Sequence, residues 1–278
     1  MSQADNCNCL TDGSAIEINQ LNQKNKIMKT QLLKLIPCLA IASFLNYTSL
    51  HACTPAPSGL VSWWQAESNA NDSVSGNNGL AQNITYSAGE VGQAFVFNGS
   101  SSVIRVAASS SLNVGTNSGF TIEGWINPTN LNLQPVWEWN TGVYSQNPDA
   151  PVGVHVWISG GGLGTLYANL EDTTTAFHTI YSTNGVMTTN SFQHVALTYD
   201  KTTGVAVLYR NGVAVATANL GVFTPQTSFD LYMGFRPVGT SAGARFQGLM
   251  DETSLYSRAL SACEIQAIYN AENAGKCH

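Results

Sequence analysis

The chain has 278 residues and few charges, 11 Lys and Arg against 17 Asp and Glu, for a net charge of -6. From residue 53 onward the basic residues (Arg105, Lys201, Arg210, Arg236, Arg245, Arg258 and Lys276) stand singly. Without a basic stripe, nucleic acid and anionic membrane surfaces are excluded as partners.

Lys24, Lys26 and Lys29 precede an apolar run, 32–45, which is too short for a membrane span and gives way to small and polar residues. That order reads as a secretory signal peptide over 28–52, starting at Met28, behind a polar upstream extension, 1–27, with no structural role. Export then places the single domain 53–278 outside the cell or in its envelope. Leu50-His51-Ala52-Cys53 also resembles a bacterial lipobox, which would anchor the chain by a lipid on Cys53.

From Gly59 onward, strand signals recur at short intervals and no long helical pattern appears before Ser261. Gly59–Trp64, Gly92–Phe97 and Val103–Val106 are short apolar runs, and Phe120–Ile126 alternates strictly until Pro128. Gln193–Tyr199, Val205–Tyr209 and Val213–Ala218 follow one another, the last two joined by Asn211-Gly212, a two-residue hairpin signal. Phe229–Phe235 and Phe246–Tyr256 complete the strands. Ser261 followed by Glu264 forms a capping box, and Ile265, Ile268 and Tyr269 give the helix behind it an apolar face. Many strands, Gly-rich turns and one late helix predict an all-β, two-sheet antiparallel sandwich.

Five blocks carry a family resemblance in the right order: GLVSWWQAESNANDSVSGNNG, VGQAFVFNGSSSVIRV, FTIEGWINP, FQHVALTYDKTTGVAVLYRNG and MDETSLYSRALS. Together they resemble laminin-G-like domains of the concanavalin A-like lectin/glucanase type, seen in bacterial secreted proteins. The resemblance implies a jelly roll with a short C-terminal helix, in a family consisting mostly of binding modules. It also implies terminal segments lying side by side, which would let Cys53 and Cys277 form a disulfide, the reading that competes with lipidation. Related domains often hold a structural calcium. On that basis Asp72 and Asp251 are expected as carboxylate ligands, with Asn77, Asn78 and Gly99 beside them. Asp72 equally suits capping a turn, and Asp251 an ion pair with Arg258.

Trp137 and Trp139 flank Glu138 in PVWEWN, so both rings face one side of a strand. With His155, Trp157 and Tyr167 on the next two strands, they could form an aromatic platform on which a sugar stacks, Glu138 accepting its hydroxyl hydrogen bonds. Burial of these aromatics in the core is the competing reading. Glycosidases of this fold need two carboxylates on one strand as E-x-D-x-E or E-x-D-x-x-E, and no such string occurs. The expected function is therefore a non-catalytic, lectin-like module for a glycan or cell-surface polysaccharide, with calcium as a structural cofactor. The alternatives are an adhesion or envelope-associated module that binds an extracellular protein, and a glycoside hydrolase with unrecognised acids.

Overall fold

The computed structural model describes residues 52–142, 151–159 and 163–277. The upstream extension, 1–27, and the leader as far as residue 51 lie outside the described residues. The strands begin with β1 (Leu60–Trp64), β2 (Gly79–Gln82), β3 (Thr85–Ala88), β4 (Gln93–Asn98) and β5 (Val103–Val106). They continue with β6 (Gly119–Pro128), β7 (Gln134–Asn140), β8 (Val152–Ser159), β9 (Thr165–Asn169) and β10 (Thr179–Tyr181). The series ends with β11 (Gln193–Asp200), β12 (Val205–Arg210), β13 (Val213–Asn219), β14 (Asp230–Met233) and β15 (Gln247–Tyr256), then the helix α1 (Ala262–Asn270).

The strands form two antiparallel sheets. The first runs β13-β12-β11-β6-β15-β4-β3, with β1 also on β15; the second runs β10-β9-β8-β7-β14-β5-β2. Strand β15 serves two partners on one edge: Gln247–Met250 pair with β4, and Thr253–Tyr256 with β1. Between these halves lies a bulge over Asp251–Ser254, within which Glu252 adopts φ 56°.

Inward residues of both sheets make one core. Phe95, Phe120, Ile122 and Leu197 meet Ile104, Val136, Trp137, Trp139, Val156 and Leu231 there, all fully or almost fully buried. Phe120 and Trp139 pack edge to face across it at 6.3 Å between ring centroids. The other face of the first sheet is covered by α1, whose Ile265 and Ile268 join Ala196, Tyr209, Tyr256 and Leu260 in a second cluster. Strand β6 is thus buried on both faces despite its alternating sequence. Ser261 caps α1 through the expected box with Glu264.

The chain's two ends are clasped. Thr54 and Lys276 form a parallel bridge, and Cys53 and Cys277 are disulfide-bonded with Cα atoms 5.0 Å apart. The bridge occupies the sulfur that lipidation of Cys53 would need, so the lipid anchor at Cys53 is set aside. The Lys276 side chain passes under this clasp to Glu123 Oε1 (3.2 Å) and Glu252 Oε2 (3.4 Å), 5.1 Å from the centre of the Trp63 ring. Glu123 Oε2 meets His194 Nε2 at 2.8 Å, so Glu123 is a structural residue of the first sheet. Among the described residues no helix is long and apolar enough to cross a membrane.

Candidate ligand-binding groove

The outer face of the second sheet holds a groove of about 640 Å³. Alternation along β8 sends Val154, Val156 and Ile158 into the core and leaves His155 and Trp157 on the groove side. Strand β9 adds Tyr167 and Asn169, and Glu171 follows just beyond it. Register places these side by side: Trp157 opposite Tyr167, His155 opposite Asn169, and Glu138 opposite His155. The rim comes from loops, with Leu133 on one and Phe177 on another.

Strand parity decides the fate of the expected platform. Trp137 and Trp139 do face one side of β7, but that side is the core, where both are completely buried. They take no part in the groove, and Trp137 Nε1 instead donates across the sandwich to Thr253 Oγ1 (3.3 Å). Glu138, between them, points the other way and lies fully buried beneath the groove. Its Oε1 accepts from Arg236 Nη1 (3.0 Å) and Asn140 Nδ2 (2.7 Å), and its Oε2 from Trp157 Nε1 (3.1 Å). These protein donors occupy the oxygens expected to receive sugar hydroxyls. Glu138 is therefore a positioning residue that fixes Arg236 and the Trp157 ring.

His155, Trp157 and Tyr167 are on the wall as expected, although the first two are only 5% and 3% exposed and offer edges rather than faces. His155 packs edge to face on both Trp157 and Tyr167. Its Nδ1 lies 2.9 Å from the Gly153 carbonyl, so Nδ1 carries the proton and Nε2 is an acceptor. Burial, together with the charge of Arg236, drops the His155 pKa to about 3 and keeps the ring neutral. Tyr167 stacks on Tyr181 at 4.6 Å, and Tyr181 is 55% and Phe177 68% exposed, so tyrosine and phenylalanine supply the open aromatic surface.

Arg236, Glu171, Asn169 and Phe177 were not expected in the site. Arg236 arrives from a loop after β14 and lies over Trp157, 5.2 Å from its ring centre. Nothing in its local sequence announces this role. Glu171 shares the parity of Tyr167 and Asn169, a signal the sequence does carry. No hydrogen-bond donor meets its carboxyl among the described residues, and its Oε2 is buried and unpartnered. Burial pushes Glu171 up to about 7, against the pull of Arg236 and with help from Asp172 and Glu138.

The five expected calcium ligands are not assembled into one site. Asp72 caps its own turn: Oδ1 accepts from the Trp63 and Val74 amides, and Oδ2 from the Ser75 and Asn77 amides and the Ser75 hydroxyl. Asn78 Oδ1 is taken by the Asp72 amide, and the Asn77 side chain by Ser62, Ser109 and Ser111. Gly99 sits in a turn closed by Asn98, which accepts the amides of Ser100, Ser101 and Ser102. That turn abuts Gln247, four residues and about 13 Å of strand from Asp251. Arg258 does not meet Asp251 either; it pairs with Glu264. Only Asp251 retains a feature that suits a cation. Its Oδ1 is buried with no hydrogen-bond partner, while Oδ2 accepts from the Val91 amide (2.9 Å).

A two-sheet antiparallel sandwich of this kind, with a groove over one outer face, is a jelly roll. The chain belongs to the concanavalin A-like lectin/glucanases superfamily, whose laminin-G model matches residues 98–266. No curated protein matches its sequence. Among solved structures it is similar to the binding domain of paraclostridial mosquitocidal protein 1, at TM-score 0.57 and 20% identity over 76% of this chain and 52% of that one. It is also similar to domain 4 of AbnA, a GH43 extracellular arabinanase from Geobacillus stearothermophilus in complex with arabinotriose, at TM-score 0.54 and 19% identity over 74% and 96%. A third is the botulinum neurotoxin serotype D ligand-binding domain in complex with N-acetylneuraminic acid, at TM-score 0.56 and 16% identity over 76% and 50%. The chain spans about half the length of the two toxin domains. At these identities the likeness establishes the fold.

Proposed function

We propose that this is an exported, non-catalytic carbohydrate-binding module whose ligand lies in the groove over β8 and β9. The groove itself carries this reading: an open trough lined by the aromatic rings of Tyr167 and Phe177 together with the polar residues His155, Asn169 and Glu171. Sugars have both apolar ring faces and hydroxyl edges, and such a mixed lining suits them. The sugar complexes of AbnA domain 4 and of the serotype D toxin domain agree with it. The non-catalytic reading rests on Glu138. Its oxygens are spent on three protein donors, which leaves Glu171 as the one carboxyl among the described groove-lining residues. Glycoside hydrolysis needs two.

Calcium enters this reading through Asp251 alone, where a cation would satisfy the buried Oδ1. Adding calcium is expected to raise the melting temperature of the wild-type protein and to leave Asp251→Asn unmoved. An equal response in both would remove Asp251 as the ligand. Protein–protein adhesion is the second reading, favoured by the exposed Phe177, Tyr181 and Leu133 near the groove.

Native affinity gels across a polysaccharide panel test the main reading. One or more polysaccharides should retard the protein, and Tyr167→Ala or Phe177→Ala should abolish retardation while circular dichroism stays unchanged. Migration that no polysaccharide slows would overturn it.

A further inference from the structure

Among the described residues, the charged and titratable groups that line the groove are Arg236, Glu171, His155 and Tyr167. Two of them carry no charge: His155 is held neutral, and burial raises the Tyr167 hydroxyl well above its usual range. The Arg236 charge is already matched. Its Nη1 meets Glu138 at 3.0 Å and its Nε donates to the Val238 carbonyl at 3.0 Å. Burial pushes Glu138 up to about 7 against the pull of Arg236 and the donors on both its oxygens, so the pair is fully ionised above that pH. Outside this pair, the charge on the described groove wall is that of the Glu171 carboxyl, 3% exposed, without a donor and ionised above about pH 7. Asp172 follows it and is held by His178 and Thr174.

His155 Nε2 and the Glu171 carboxyl are therefore acceptors on the groove wall, and the Glu171 carboxyl has no donor among the described residues. A ligand rich in donors satisfies them, whereas a carboxylated ligand meets like charge and a guanidinium already engaged. Resting on the carbohydrate reading above, we propose that Glu171 is the specificity-determining residue of the groove, which takes uncharged, hydroxyl-rich sugars and excludes sugars bearing a carboxylate. This separates the chain from the serotype D toxin domain, which is seen with N-acetylneuraminic acid, and sets it beside AbnA domain 4, seen with arabinotriose.

The test is an array of paired glycans, each neutral oligosaccharide printed beside its sialylated and its uronic-acid counterpart. It is probed about one to two pH units above the Glu171 value of about 7, where that carboxyl is ionised. Wild-type protein is expected to favour the neutral member of each bound pair by about tenfold or more. Glu171→Gln keeps the shape of the side chain and removes its charge. It should bring the acidic members to within about threefold of their neutral partners. Equal or stronger binding of acidic members by the wild type overturns the inference and leaves the carbohydrate reading standing. Unchanged selectivity in Glu171→Gln overturns the role of Glu171. Absence of signal from every glycan overturns the carbohydrate reading itself, and this inference with it.

Discussion

At the residue scale, the groove is built on one ion pair that solvent does not reach. Arg236 and Glu138 are 6% and 0% exposed, and each would be an uncompensated buried charge without the other. Arg236→Met is expected to cost about 3–5 kcal/mol in urea denaturation, and the double replacement with Glu138→Leu should recover much of that loss. A second expectation concerns Glu171, pushed from the ordinary value of 4.5 up to about 7 by burial. The folded state binds this proton more tightly than the unfolded chain, so its contribution to stability is complete below about 4.5 and is lost as pH rises towards 7. Wild-type stability should fall across that window by up to about 3 kcal/mol relative to Glu171→Gln, read by denaturation at stepped pH. The same scale explains why half of the site was legible. His155, Trp157 and Tyr167 follow from strand parity, and parity also places Trp137 and Trp139 together. Which side of β7 faces the core is not contained in PVWEWN, however; it is set by β6 and β15 packing from the opposite sheet.

At the element scale, the turns were the most readable parts. Asn211-Gly212 closes β12 onto β13 with Arg210 opposite Val213, both residues at positive φ. β2, β3 and β10, by contrast, were missed. Their sequences, GLAQ, TYSA and TIY, are largely exposed and lack the apolar runs that marked the other strands. The loop 72–77 shows an acidic residue acting as a turn's scaffold rather than as a metal ligand. Burial raises the Asp72 carboxyl, but the amides of Trp63, Val74 and Asn77 and the Ser75 hydroxyl outweigh it and hold Asp72 below the usual carboxylate range. Asp72→Ala should cost about 1–3 kcal/mol by leaving those amides without an acceptor, and calcium should not restore the loss in a thermal melt.

At the scale of the whole molecule, the clasp joins two kinds of stabilisation. The disulfide closes a loop of 224 residues, which the chain-entropy model values at about 5 kcal/mol. It also seats Lys276 between Glu123 and Glu252. Lys276→Met should cost about 3–5 kcal/mol in chemical denaturation with the disulfide intact, because two buried carboxylates then lack their cation. A loss below 1 kcal/mol would mean that the clasp works through chain entropy alone.

Strand β15 lies between β6 on one side and β1 and β4 on the other. Its position gives the molecule a clock. A polypeptide made from its amino end brings out Trp63 and Trp64 almost 200 residues before Thr253 and Ser254, the partners β1 waits for. Until then β1, β4 and β6 have no strand between them, and the sheet cannot close across that gap. β6 can pair with β11 to β13, and β3 with β4, before β15 is made, but the two halves of the first sheet join only once it arrives. Aggregation during synthesis then depends on how long those two halves are kept apart.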